Sequence, residues 1–332
     1  MTLHQIPWTG LAADDLYAYG SPEGWGPLVD AIAAKAVARN RILGTTRASV
    51  QVACGATHAI SCVVHALCDP GDELILATPH WPLVRGIALG FGVTPIEVAF
   101  DEIESAITAR TSTIYFATPN NPDGQMRTAR ELARIVELAE RYRLWILADE
   151  VYEDYGYDAD HVSIASLPGA AERTVSVFSF AKSYAQAGLR VGYADAPEPI
   201  AAALKKLVNH SVYNVPVAMQ RAAHDALAHG AAFLASGRAS YRELRDRARA
   251  RLRIPSQCPP GGAYLWVDFR PWASGDDCMP VLERCAAAGV LVAPGNAFGA
   301  ACGAFARLCF TGVAPDRLDA GIDRINAVLA AS

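Results

Sequence analysis

Lysine is nearly missing from this 332-residue chain. Of its 29 basic residues only Lys35, Lys182, Lys205 and Lys206 are lysines, and arginine supplies the rest. No lysine follows a glycine, which excludes the Gly-Lys of a Walker A phosphate loop. The eight cysteines (Cys54, Cys62, Cys68, Cys258, Cys278, Cys285, Cys302 and Cys309) include no Cys-x-x-Cys pair, and the eight histidines form no His-Glu-x-x-His. A zinc site is therefore not expected, and cysteines set in apolar runs read as small buried thiols of a reduced cytoplasmic protein. The net charge of −5 is too mild for a nucleic-acid binder or a polybasic membrane protein. The first residues lack a basic n-region and an apolar h-region, so no secretory leader is expected. The stretch 285–306 carries no charge, yet it contains Pro294, Asn296 and four glycines. It reads as strand and loop rather than a membrane helix.

What is present is enough apolar sequence for a large core: 52% hydrophobic against 19% charged residues. From about 25 to about 210, helical and extended patterns alternate, the signature of a mostly parallel sheet covered by helices. Apolar runs at 73–77, 112–117, 144–148, 174–178 and 190–195 read as buried strands. In 128–141, Leu132, Ile135, Val136 and Ala139 share one helical face, with Thr128 and Glu131 spaced as a capping box. After 215 the pattern turns to a long helix over 216–253, then strands at 263–269, 289–293 and 306–312, a smaller α+β unit. The segment 238–253 holds seven arginines against Glu243 and Asp246. Without an aromatic stacking platform it reads as a solvated helix face.

Four separated segments carry residues suited to chemistry. In SFAKSYAQAGLRVGY (179–193), Lys182 follows an apolar strand with no nearby carboxylate. A desolvated amine loses basicity and becomes a nucleophile toward an aldehyde. In LADEVYEDY (147–155), a strand runs into Asp149 and Glu150 at the edge of a parallel sheet where ligands bind. Asp149 suits a protonated ring nitrogen and Tyr152 a phenolate oxygen, while Glu150 reads as loop solvation. TPNNPDG (118–124) is a turn whose asparagines can donate to a ligand oxygen. VACGATHAI (52–60) is a strand, a Gly-Ala-Thr turn and a helix start, whose N–H groups and Thr57 hydroxyl suit a phosphate. Ser179 and Arg190 can add a hydroxyl and a charged fork to the same phosphate.

Together these segments, from YGSPEGWGPL (19–28) to ARLCFTG (306–312), resemble the fold-type I pyridoxal-phosphate enzymes, specifically the class I/II aminotransferase family. The Ser-Phe-x-Lys and Gly-x-Arg-x-Gly block around Lys182 and Arg190 carries most of that resemblance. It implies that Lys182 holds the cofactor aldehyde as an imine and later moves the substrate proton, and that Asp149 pairs with the pyridinium nitrogen. It implies that Asn121 and Tyr152 bond the ring oxygen and that Trp81 stacks on the ring. Ala56, Thr57, Ser179 and Arg190 would bind the phosphate, with Tyr19 reaching it from the other subunit of a homodimer. Arg307 would grip the substrate carboxylate, a task suited to a guanidinium fork.

Two departures from the family pattern stand out. The usual Asn-Pro-Thr-Gly is Asn-Pro-Asp-Gly here. Only 18 residues precede Tyr19, so a shortened N-terminal arm is expected, with Trp8 as a partial stand-in. No second arginine is clearly placed for a distal substrate carboxylate; His80, Arg85, Tyr213 and Asn214 are candidates to line that side. Pro79 and Pro122 are expected to follow cis peptide bonds.

The resulting expectation is an α/β fold, a mostly parallel sheet sandwiched by helices, with a smaller α+β C-terminal domain. The large cofactor domain is placed at 17–228 and the small one at 229–332 with 1–16. The expected activity is amino-group transfer between an L-amino acid and a 2-oxo acid, with pyridoxal 5′-phosphate as cofactor, no metal, and no nucleic-acid or membrane partner. A lyase, decarboxylase or cyclising enzyme on the same scaffold is the alternative.

Overall fold

The computed structural model of the chain describes residues 17–331. The expectations for Trp8 and for residues 1–16 of the small domain lie outside them. Among the described residues, ten strands build two sheets. The larger contains β1 (Val50–Ala53), β2 (Glu73–Thr78), β3 (Thr94–Ala99), β4 (Thr111–Ala117), β5 (Trp145–Asp149), β6 (Thr174–Ser179) and β7 (Gly192–Asp195), in the order β1-β7-β6-β5-β4-β2-β3. Its five strands β3, β2, β4, β5 and β6 run parallel, and β7 lies antiparallel between β6 and β1. The run centres are as the sequence suggests because a strand covered on both faces must be apolar throughout. The edge strand β3 has no such run. It carries Pro95 and Glu97 and is only half-buried, as edge strands tolerate.

The helices Gly55–Leu67, Pro82–Gly90 and Glu198–Val212 take part in a core on one face of the sheet, around Leu74, Leu76, Tyr115 and Leu147. On the other face the helix Ala129–Tyr142 buries Leu132, Ile135 and Ala139 against Ile114, Phe116 and Ile146. Thr128 Oγ1 accepts from the Glu131 backbone N–H and the Glu131 carboxylate accepts in return from Thr128 N, the box read in the sequence.

The helix expected over 216–253 is two, Val217–His229 and Ala231–Arg251, divided at Gly230. A side chain on Gly230 would meet the Ala226 carbonyl at 2.3 Å and the Tyr184 ring at 2.6 Å, so the join requires glycine. Beyond it, β8 (Tyr264–Asp268), β9 (Ala293–Pro294) and β10 (Phe305–Cys309) form an antiparallel sheet with β10 central. Together with the helices Met279–Ala287 and Pro315–Ala330, it surrounds a second core. The strand expected at 289–293 shrinks to Ala293–Pro294. Val290 and Val292 pack on that core and Leu291 points to solvent, so the segment alternates like a strand without a neighbour to pair with. The arginine-rich helix is neutralised locally: Arg247 and Arg251 form forks with Asp319 and Asp323. Arg245 is buried, donating to Asp158 and to the Pro259 carbonyl. No helix among the described residues is long and apolar enough to cross a membrane.

Candidate active site

The C-terminal ends of β4, β5 and β6 converge with the start of the helix Gly55–Leu67 on a cavity of about 220 Å³. Ala56, Thr57, Trp81, Asn121, Asp149, Tyr152, Ser179, Lys182 and Arg190 line it, together with apolar Ile60, Ala117, Val151, Ala181 and Ala187. Nine side chains singled out from five separate stretches of sequence are thus brought to one place.

At one end the cavity is built to take an anion. Gly55 opens the helix with φ +77°, and a Cβ there would lie 2.3 Å from a terminal nitrogen of Arg190. Only glycine lets the guanidinium sit against the first helical turn, whose N–H groups have no partner within the helix. Arg190 is itself left-handed, at φ 54°, and is steadied by a bond from its Nη1 to the Ala187 carbonyl. Ser179 Oγ accepts from the Ala181 N–H, which leaves its own proton to donate.

In the middle stands Lys182, on a short helix directly after β6. Among the described residues its Nζ makes no hydrogen bond or ion pair, and it lies 5.6 Å from the centre of the Tyr152 ring. Burial holds this amine below its usual pKa, with Arg307 and Arg190 acting in the same sense and Asp149 and Cys309 against it. Asp149, the last residue of β5, is buried, and burial pushes its carboxyl up to about 6. It accepts from the Tyr115 hydroxyl at 3.0 Å and the Val151 N–H at 3.3 Å.

Arg307 on β10 is not itself among the lining residues, but it reaches from the second sheet to one of them, Asn121. Its Nη1 donates to Asn121 Oδ1 at 2.8 Å, and its guanidinium lies 4.2 Å from the Tyr264 ring centre and 4.9 Å from that of Phe298. Tyr152 shares a 2.8 Å hydroxyl contact with Tyr264. Tyr264 and Tyr115 were missed in the sequence. The available signal was a tyrosine inside an otherwise apolar strand, whose hydroxyl must find a polar partner once buried.

Several expectations are corrected. Glu150 is no solvated loop residue. It is fully buried, accepts from the Ser163 and Ser176 hydroxyls, and pairs with His161 at 2.8 Å. Its side chain therefore points away from the cavity and anchors the turn that presents Asp149 and Tyr152. Glu150→Ala strands His161 and two hydroxyls in the interior and is expected to cost about 3–5 kcal/mol, read by urea unfolding of the cofactor-free protein. The cis bonds precede Pro79 and Pro119; Pro122 does not follow one. Asp123 turns inward to accept from Asn120 Nδ2 and Gln125 N, and burial pushes its carboxyl up, so the departure at this turn is structural.

The four candidates for a distal pocket do not line the cavity. His80 and Arg85 both face Glu97, which also accepts from the Ala300 N–H. Asn214 bonds the Val215 carbonyl, and Tyr213 packs 4.5 Å from Tyr19. Tyr19 itself is exposed and does not line the cavity. Six cysteines are buried or half-buried, and Cys258 and Cys309 are exposed; all eight are free.

The sequence matches the family described as aminotransferase class I and II over residues 10–325. It is 32% identical to an aspartate aminotransferase of Musicola paradisiaca, over 92% of this chain and 80% of that protein. It is 34% identical to an arginine–pyruvate transaminase of Pseudomonas aeruginosa, over 78% of this chain and 69% of that one. In three dimensions it is similar to the aspartate aminotransferase of Thermus thermophilus with maleate, at a TM-score of 0.88 and 29% identity, covering 93% and 83% of the two chains. An aromatic aminotransferase from Pyrococcus horikoshii gives a TM-score of 0.88 at 29% identity, covering 94% and 88%.

Proposed function

Because the chain belongs to the class I and II aminotransferases, which use pyridoxal 5′-phosphate to move an amino group between an amino acid and a 2-oxo acid, we propose that the cavity around Lys182 is where its cofactor and substrate meet. One observation carries the reading. A lysine of lowered basicity and a buried carboxylate face a single cavity that has an anion cradle at one end, and Asn121 of its lining is bonded to the Arg307 guanidinium.

The residues present fit the cofactor. The Gly55 turn, which a Cβ would fill, suits its phosphate, and a buried carboxylate without a cationic hydrogen-bond partner suits its protonated ring nitrogen. When bound, pyridoxal phosphate supplies an aldehyde carbon that joins amines and a ring that withdraws electrons. Arg190, Ser179, Thr57 and the Ala56–Thr57 N–H groups hold the phosphate. Trp81 covers a ring face. Asn121, its amide oxygen taken by Arg307, has its NH₂ left to donate and, with the Tyr152 hydroxyl, would bond the ring oxygen. Asp149 keeps the proton on the ring nitrogen. Lys182 Nζ would be the amine that holds the aldehyde carbon and the base that holds and moves the substrate Cα proton. Arg307 fixes the substrate carboxylate, pre-oriented by the Tyr264 and Phe298 rings.

In this reading Tyr19 serves the neighbouring subunit of a homodimer, which accounts for a tyrosine exposed on its own subunit. A large cofactor domain ending near 228 and a small domain from 229 agree with a core built mainly from residues 241–329, although that core also takes in Tyr152, Tyr155 and Tyr157. Eight free thiols agree with a reducing, cytoplasmic setting. Of the activities open from the sequence, amino-group transfer is the one that the relatives' names support.

The test is a half-reaction screen. Protein loaded with pyridoxal phosphate is mixed with amino acids one at a time, following visible absorption and the released product. One equivalent of 2-oxo acid is expected, whereas ammonia or carbon dioxide as the stoichiometric product would select elimination or decarboxylation. In the same assay Arg307→Lys keeps the charge but loses the fork. It is expected to raise KM for the amino acid by roughly a hundredfold, with kcat changed far less. A KM that stays put would remove Arg307 from the substrate.

A further inference from the structure

Asp149 can serve a ring nitrogen only if its carboxylate is aimed and ionised, and both properties need a cause inside a dry core. Tyr115 supplies one. It lies in β4 opposite Leu147 of β5, while Ala117 lies opposite Asp149. Tyr115 and Asp149 therefore share a face of the sheet, one diagonal step apart. The phenol ring is fully buried and packed with Leu74, Leu76 and Val175. Its hydroxyl donates to Asp149 Oδ2 at 3.0 Å, whereas the Val151 N–H reaches Oδ1 at a longer 3.3 Å. Tyr115 is not among the cavity-lining residues, so it can act only through the carboxylate.

We propose that Tyr115 is a positioning residue for the cofactor: its hydroxyl fixes the direction of the Asp149 carboxylate and favours its anionic form. This rests on the assignment of Asp149 to the ring nitrogen. Electrostatics agree with the geometry. Burial raises the Asp149 pKa and the Tyr115 hydrogen bond opposes it, while the phenol itself is held well above its usual pKa and stays a donor. A tyrosine merely satisfying its own hydroxyl would be indifferent to what the carboxylate holds.

The experiment is a double-mutant cycle on cofactor binding, with Tyr115→Phe, Asp149→Asn and the pair, each stripped of cofactor and titrated with pyridoxal 5′-phosphate. Tyr115→Phe is expected to weaken binding by roughly tenfold, the loss of one hydrogen bond to a charged group. It should also move the visible absorption maximum in the same direction as Asp149→Asn does. In the Asp149→Asn background it is expected to change affinity by less than about twofold. The same cycle with Tyr115→Leu covers the case in which the Phe variant does not fold. Wild-type affinity in the Tyr115 variants, or penalties that multiply fully in the pair, would overturn the inference while leaving Asp149 in place. Wild-type affinity and spectrum in Asp149→Asn would overturn the assignment of Asp149, and the inference with it.

Discussion

Lys182→Ala is expected to lose turnover by roughly 10⁴-fold or more, since in the proposed function it removes both the amine that would hold the cofactor and the base that would move the substrate proton. Lys182→Arg should be no better: it restores charge but cannot form an imine. The structure sharpens this result because no other lysine can substitute. Lys35 is buried between Glu153 and the Tyr193 hydroxyl, over the Phe178 ring. Lys205 pairs with Glu23, and both it and Lys206 lie on the helix Glu198–Val212, outside the cavity. Borohydride reduction of the loaded wild-type protein, followed by peptide mass spectrometry, is expected to fix the cofactor to Lys182. A variant without Lys182 that still traps the cofactor stoichiometrically would sink the active-site reading.

The second large effect is expected at Asp149. Asp149→Ala should lower kcat by about 10²–10³-fold, the scale of one well-placed electrostatic partner. Part of the cofactor affinity should survive, because the phosphate cradle lies at the far end of the cavity. Stability should move the other way. The folded-state pKa of Asp149 is raised, so folding favours its protonated form, and this contribution is lost as pH climbs from the ordinary carboxylate range toward about 6. Above that pH the cofactor-free protein carries a buried charge that Lys182 favours from a distance but does not pair with. Asp149→Asn, neutral and nearly isosteric, is therefore expected to raise the melting temperature of the cofactor-free protein at pH 8 while impairing turnover. A melting temperature lowered by the substitution would show that the carboxylate is already compensated without the cofactor.

Sequence alone made the site more legible than the frame around it, for a physical reason. An imine needs a lysine, a carboxylate fork needs an arginine, and a phosphate cradle needs a glycine turn at a helix start. Lys182 therefore stands out among four lysines, whereas Arg307, one of many arginines, and the Gly55 turn are picked out by the family resemblance. Tyr115 and Tyr264 were hidden because a buried strand reads as uniformly apolar, and the partner of a hydroxyl lies on another strand. Glu150 was misread for a related reason: its partners, His161, Ser163 and Ser176, are 11 to 26 positions away and lack a common periodicity. β3 escaped because an edge strand is free to mix Pro95 and Glu97 with apolar residues. The break at Gly230 depends on the Tyr184 ring, which no helical pattern reveals.

The lysine poverty of the chain also has a use at the bench. With Lys35 enclosed in the core, an amine-directed reagent on the folded protein meets, among the described lysines, Lys182, Lys205 and Lys206. Of these lysines only Lys182 faces the cavity. Labelling there, normalised to Lys205 and Lys206 in the same digest, becomes a direct gauge of how many molecules in a preparation carry their cofactor.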